Sequence, residues 1–145
     1  GLRGLRPTQD HEGRAAMELE ALVAEPIRGS GLFALSGGVL DFSALLARLA
    51  DGMERREGAA LFHGTLIDGF AALTAAHARP GEAVALGGGC LMNRILAEGL
   101  IEALGDLGLR PLVARAVPAN DGGLSLGQAA LARAHLAGSA GASNT

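Results

Sequence analysis

Two short strings hold residue types that could do chemistry: Leu86-Gly87-Gly88-Gly89-Cys90-Leu91-Met92-Asn93 and Pro118-Ala119-Asn120-Asp121-Gly122-Gly123. Glycines that follow a strand let backbone approach a ligand, and free N–H groups opening the next helix favour an anion. Asn93 is expected one turn into that helix, where its amide could bond a ribose or a phosphate oxygen. In the second string, the Asp121 carboxylate suits a metal ion or a general base. Plainer readings stand beside these. The first string could be a tight strand-to-helix turn with no ligand, and Asn120 or Asp121 could simply cap a helix. The spacing is not G-x-G-x-x-G, and no acidic residue follows about 20 positions later at a strand end, which disfavours a Rossmann dinucleotide site.

Other reactive types carry less. His11, His63, His77 and His135 contain no i, i+4 pair, and His11-Glu12-Gly13-Arg14 lacks the second histidine of a zincin helix. His63 and His77 fall on the apolar stripe of one helix and read as partly buried packing residues. Cys90 follows the glycines near a helix start, where a thiolate is favoured. No histidine is fixed beside it, so it reads as a small packing residue. Glu12-Gly13-Arg14 precedes a helix and is a weak ligand candidate by itself. The chain contains no Lys, which rules out a Walker-type phosphate lysine or a Schiff-base lysine in this stretch.

The elements that must position these residues follow from pattern. Residues 1–9 read as a loop, and Asp10 could cap a helix reaching about Glu25. Gly31–Leu35 reads as a short edge strand, and Gly37-Gly38 turns the chain. Asp41 or Ser43 could cap a helix with Phe42, Leu45, Leu46, Leu49 and Met53 on one face. A longer helix from about Ala59 to His77 carries Phe62, His63, Leu66, Ile67, Phe70, Leu73 and His77 at steps of three and four. Then Ala83–Leu86 reads as a strand, Leu91–Leu107 as a helix, Pro111–Val117 as a strand and Leu124–Leu136 as a helix. That alternation implies a parallel α/β sheet, whose strands would deliver both glycine turns to one edge. The whole reads as one domain, 1–145: mainly helical over 10–80, a βαβα nucleotide and metal edge over 82–137, and a flexible tail over 138–145.

Composition narrows the function classes. Apolar residues make up 49% of the chain but only four are aromatic, so the core must be close-packed aliphatics, as where helices lie on a sheet. Net charge is −3 with no basic run, which argues against a nucleic-acid partner. One cysteine leaves no internal disulfide, so a cytoplasmic setting is expected. No apolar run is long enough to span a bilayer, and no membrane partner is expected. The chain starts at Gly1 rather than Met, which suggests a fragment of something longer.

Several strings, in order, resemble the C-terminal part of the HypF family, the carbamoyltransferases of nickel–iron hydrogenase maturation. They are Glu12-Gly13-Arg14-Ala15-Ala16-Met17-Glu18-Leu19-Glu20, Phe62-His63-Gly64-Thr65-Leu66, Leu86-Gly87-Gly88-Gly89 with Asn93-Arg94, and Val117-Pro118-Ala119-Asn120-Asp121-Gly122-Gly123-Leu124-Ser125-Leu126-Gly127-Gln128. The last is the most specific. The resemblance implies an actin-like, ribonuclease-H-like ATPase fold, here its second lobe. It further implies a nucleotide, as ATP-derived carbamoyl-adenylate, and a divalent metal, zinc or iron. The carbamoyl group would pass to the C-terminal cysteine of the partner HypE, toward the cyanide ligand of the hydrogenase.

Carried over position by position, Gly88 and Gly89 would approach the adenylate phosphate, and Asn93 would bond the nucleotide. Gly13 would lie against the nucleoside, and Asp121 would be a metal ligand. No residue is assigned a catalytic role. The sequence has Gly-Gly-Gly-Cys where relatives more often have Ser-Gly-Gly-Val, a change compatible with backbone contacts. The family's His-x-x-x-His metal pair lies in the first lobe, so the isolated chain is expected to be inactive. Exposed apolar surface could then drive homodimer formation. Other readings are a tRNA threonylcarbamoyl transferase or sugar-kinase-like lobe, or a non-catalytic assembly module.

Overall fold

The structure, a computed structural model, describes residues 13–141. In chain order it contains α1 (Arg14–Glu20), β1 (Ala34–Ser36), β2 (Val39–Asp41), α2 (Ser43–Ala50), α3 (Arg55–Ala75), β3 (Ala83–Leu86), a 3-10 turn (Gly89–Met92), α4 (Arg94–Asp106), β4 (Arg110–Val113), a second 3-10 turn (Asp121–Gly123) and α5 (Leu124–Gly141). It is an α/β chain with two small sheets. β1 and β2 form an antiparallel hairpin, whereas β3 and β4 are neighbours joined through α4 in a small parallel sheet.

Contacts gather into two compact units, Gly1–Ala85 with Asn93–Leu112, and Leu86–Met92 with Val113–Thr145. Helix α4 packs on α3, and residues 93–112 gather with the helical part of the chain.

In the first unit, α3 is buried nearly all round. Ala59, His63, Gly64, Thr65, Ile67 and Gly69 are all inside. Small residues allow this by letting other elements come close. A Cβ on Gly64 would lie 1.8 Å from the Ile27 carbonyl oxygen, and one on Gly99 of α4 would lie 2.3 Å from Ile67 Cδ1. The 27–30 stretch is pinned along α3 by polar contacts: Ile27 N–H to the Ala60 carbonyl, Gly29 N–H to Asp68, the Arg28–Asp68 ion pair, and the Ser30 and Thr65 hydroxyls. The apolar stripe anticipated on α3 is therefore only part of its buried surface. Phe70 and His77 of that stripe are exposed, correcting the packing role expected for His77.

Several element ends differ from expectation for local reasons. Helix α1 starts after Gly13, whose φ of 79° is left-handed; the expected Asp10 cap lies outside the described residues. The chain after Gly37-Gly38, both at positive φ, pairs back as β2, a strand too short to show a period. Capped by Glu54, which accepts from Arg56 N and Glu57 N, α3 starts at Arg55, four residues before the expected Ala59. β4 ends at Val113 rather than Val117, and α5 continues to Gly141, beyond the expected Leu136.

Candidate functional site

The second unit holds the two glycine strings. After Leu86 the chain passes through Gly88 at φ 107°, a conformation that disfavours any side chain. The Gly88 N–H donates to the Ala119 carbonyl at 2.7 Å, and its carbonyl accepts from Leu91 N at 3.1 Å. The first string is thereby tied to the second. In the latter, Asn120 Oδ1 accepts from Gly122 N at 3.0 Å and the Asn120 carbonyl accepts from Gly123 N at 3.0 Å. Gly123 admits no side chain, since its Cβ would lie 2.7 Å from the Pro118 carbonyl oxygen. This settles which of the two Asx residues caps: Asn120 does.

Asp121 stands one residue further on, exposed, with no hydrogen bond or ion pair for its carboxylate among the described residues. Gly87, Gly88, Ala119, Asn120, Asp121 and Leu124 line one open depression of about 550 Å³. Among the described residues no group of three or more His, Cys, Asp or Glu is placed to hold a metal. Asp121 is thus part of no such group among the described residues. Gly89 opens the 3-10 turn, and Cys90 beside it is exposed rather than packed.

Asn93 belongs to the first unit, and its position corrects the sequence reading. The helix is not continuous from Leu91. The 3-10 turn ends at Met92, and Asn93 is the N-cap of α4, its Oδ1 accepting from Leu96 N at 3.0 Å. The residue before the helix proper is where Asn is most favoured, a local signal that the apolar Leu91-Met92 pair obscured. Nor are the opening N–H groups of α4 all free for an anion. Arg94 N donates to Glu20 Oε1 of α1 at 2.8 Å.

The other end of the Asn93 amide is also engaged. Its Nδ2 donates to His63 Nε2 at 3.0 Å, while His63 Nδ1 faces the Ala59 carbonyl at 2.8 Å. A carbonyl can only accept, so the proton of this ring is on Nδ1 and Nε2 is an acceptor. His63 is 1% exposed and rests edge-on against Phe62. The sequence reading of His63 as a buried helix residue holds, but its contact with Asn93, 30 positions away, has no local signature. Gly13, the remaining candidate, is half-buried at the start of α1, where Met17 N donates to its carbonyl at 2.9 Å. No helix among the described residues is long and apolar enough to cross a membrane.

Residues 1–128 match the family described as "Carbamoyltransferase, Kae1-like Domain, second subdomain". The chain is similar to Carbamoyltransferase HypF of Rhizobium leguminosarum bv. viciae, 50% identical over 136 residues, covering 91% of this chain and 18% of that protein. It is 42% identical over 130 residues to Carbamoyltransferase HypF of Rhodobacter capsulatus, covering 88% of this chain and 17% of that protein. Among solved structures, full-length HypF in a phosphate- and nucleotide-bound form superposes with a TM-score of 0.75 at 32% identity. That match covers 92% of this chain and 19% of the solved one. The chain thus spans less than a fifth of the length of these relatives.

Proposed function

The chain belongs to the HypF carbamoyltransferase family, and from that premise we propose that it is the second lobe of the domain that makes the final carbamoyl transfer. In this reading the parent protein passes a carbamoyl group from carbamoyl-adenylate to the C-terminal cysteine of HypE, for the cyanide ligand of a nickel–iron hydrogenase. A C–S bond forms at the carbamoyl carbon as its bond to the adenylate oxygen breaks, and AMP leaves. The lobe has an actin-like, ribonuclease-H-like architecture and works in the cytoplasm.

The observation that carries the reading is the depression in which a glycine turn and an unpartnered carboxylate, Gly88 and Asp121, face a common space. Gly88 and Gly89 give the phosphate side of the adenylate a surface without side chains. Gly13 and Asn93 bond or abut the nucleoside. Asp121 would hold a divalent metal, zinc or iron, together with ligands from outside this chain, and such a metal would supply Lewis-acid polarisation of the carbamoyl carbonyl. Everything else these residues do is binding and orientation, which converts a two-body encounter into an aligned one.

The test is a carbamoyl-transfer assay with HypE as acceptor, run on the full-length parent protein and on the 145-residue chain. Turnover is expected from the first and none from the second, because the chain supplies one metal ligand only. Turnover by the isolated chain would refute the reading of it as half a site.

A further inference from the structure

His63 is buried and aromatic, yet its one available acceptor is spent on the Asn93 side chain. The inference rests on the reading of Asn93 as a nucleotide contact and deepens it. We propose that His63 is a positioning residue that fixes which way the Asn93 amide faces, so that one Nδ2 hydrogen is always turned outward as a donor to ligand.

The Asn93 amide has one oxygen and two N–H hydrogens. Its oxygen is used by Leu96 N, at 3.0 Å, which caps α4. One hydrogen is used by His63 Nε2, at 3.0 Å. Rotating the amide by half a turn would set its oxygen against the His63 acceptor and its hydrogens against the Leu96 donor, so both contacts would become repulsive. The choice is transmitted from further inside, since Nε2 is an acceptor only because Nδ1 donates to the Ala59 carbonyl at 2.8 Å.

His63 cannot turn to escape this. Its ring is enclosed in α3 against Phe62. A backbone carbonyl on one helix thus sets the tautomer of a histidine, and the histidine sets the amide at the start of another helix. What remains is a single N–H on a half-buried side chain, a donor suited to a ribose hydroxyl or a phosphate oxygen and closed to a ligand donor. The Glu20 contact to Arg94 N at 2.8 Å holds the same helix start in place from the α1 side.

The experiment titrates ADP into the full-length protein carrying His63→Leu, His63→Gln or Asn93→Ser, and measures KM and kcat for carbamoyl transfer alongside. Leu removes the acceptor at similar volume. Gln restores an acceptor, and Ser retains the α4 cap without the outward N–H. The expected result is roughly tenfold weaker ADP binding and raised KM for His63→Leu, the scale of one misdirected hydrogen bond. His63→Gln should recover most of that loss, and Asn93→Ser should match His63→Leu.

Native ADP affinity in His63→Leu with weakened affinity in Asn93→Ser overturns the positioning role and leaves the nucleotide reading standing. Native affinity in both overturns both. Should His63→Leu fail to fold, the 15N resonances of selectively labelled His63 in the native protein decide: a ring protonated on Nδ1 supports the proposal, and one protonated on Nε2 alone overturns it.

Discussion

The Gly88 amide donates to the Ala119 carbonyl across 2.7 Å, and this bond joins the glycine turn to the loop that carries Asp121. Because Gly88 sits at φ 107° with open space where a Cβ would go, its replacement strains backbone without creating a clash. Gly88→Ala should therefore destabilise the chain by about 1–3 kcal/mol, the usual cost of a side chain held in a sparsely populated backbone region. Urea unfolding measures the first effect. A nucleotide titration of the full-length variant should show weakened binding as well.

Asp121 separates ligand chemistry from helix capping cleanly, because Asn120 already supplies the cap. Asp121→Asn should leave stability within about 0.5 kcal/mol, as for a surface change that breaks no contact. On the proposed reading, carbamoyl transfer by the full-length protein and any divalent metal it binds should nevertheless be lost. A drop of about 1 kcal/mol in stability with activity retained would mark Asp121 as structural instead.

The crossing of Ile27 over Gly64 makes a sharper stability prediction. Gly64→Ala forces the Ile27 carbonyl away from a contact of 1.8 Å and with it the Ile27 N–H bond to Ala60. The expected loss is about 3 kcal/mol, the upper range for overpacking a close-packed interior. Thermal unfolding would show it as a lowered Tm, larger than for Gly99→Ala, where the obstacle is the flexible end of Ile67.

Two exposed carboxylates set an acid dependence. Hydrogen bonds from the Ser43 hydroxyl and then its amide lower the Asp41 pKa, and those from Glu57 N and Arg56 N lower that of Glu54. A carboxyl held below its ordinary value contributes stability that is present above that value and disappears as pH falls through the lowered one. Unfolding midpoints measured from about pH 6 down to about pH 3 should fall steadily in the native chain. Glu54→Gln and Asp41→Asn keep an oxygen acceptor but no longer titrate, so the fall should flatten in each.

Helix α5 presents Leu124, Leu126 and Leu131 to solvent at 59%, 57% and 71% exposure. Apolar side chains on that scale favour burial against another surface. The isolated chain should self-associate, with sedimentation showing a weight that rises with concentration. Charged replacements at Leu126 and Leu131 should return it toward a monomer.

The sequence by itself determined the local grammar: strand, glycine turn, helix, twice over, with Gly-Gly-Gly directly after β3 and Asn-Asp-Gly-Gly directly before α5, though not at the end of β4. Those features are short-range, since glycine conformations, capping residues and strand stops act over a few residues. Helix α3 was legible as a helix for the same reason, but its glycines could not say what would cross them. Only tertiary structure decided that Ile27 lies on Gly64, that Glu20 meets Arg94 N, and that His63 is spent on Asn93. Each of these joins residues far apart in the chain, where close packing in the folded chain, and not any neighbour in sequence, selects the partner.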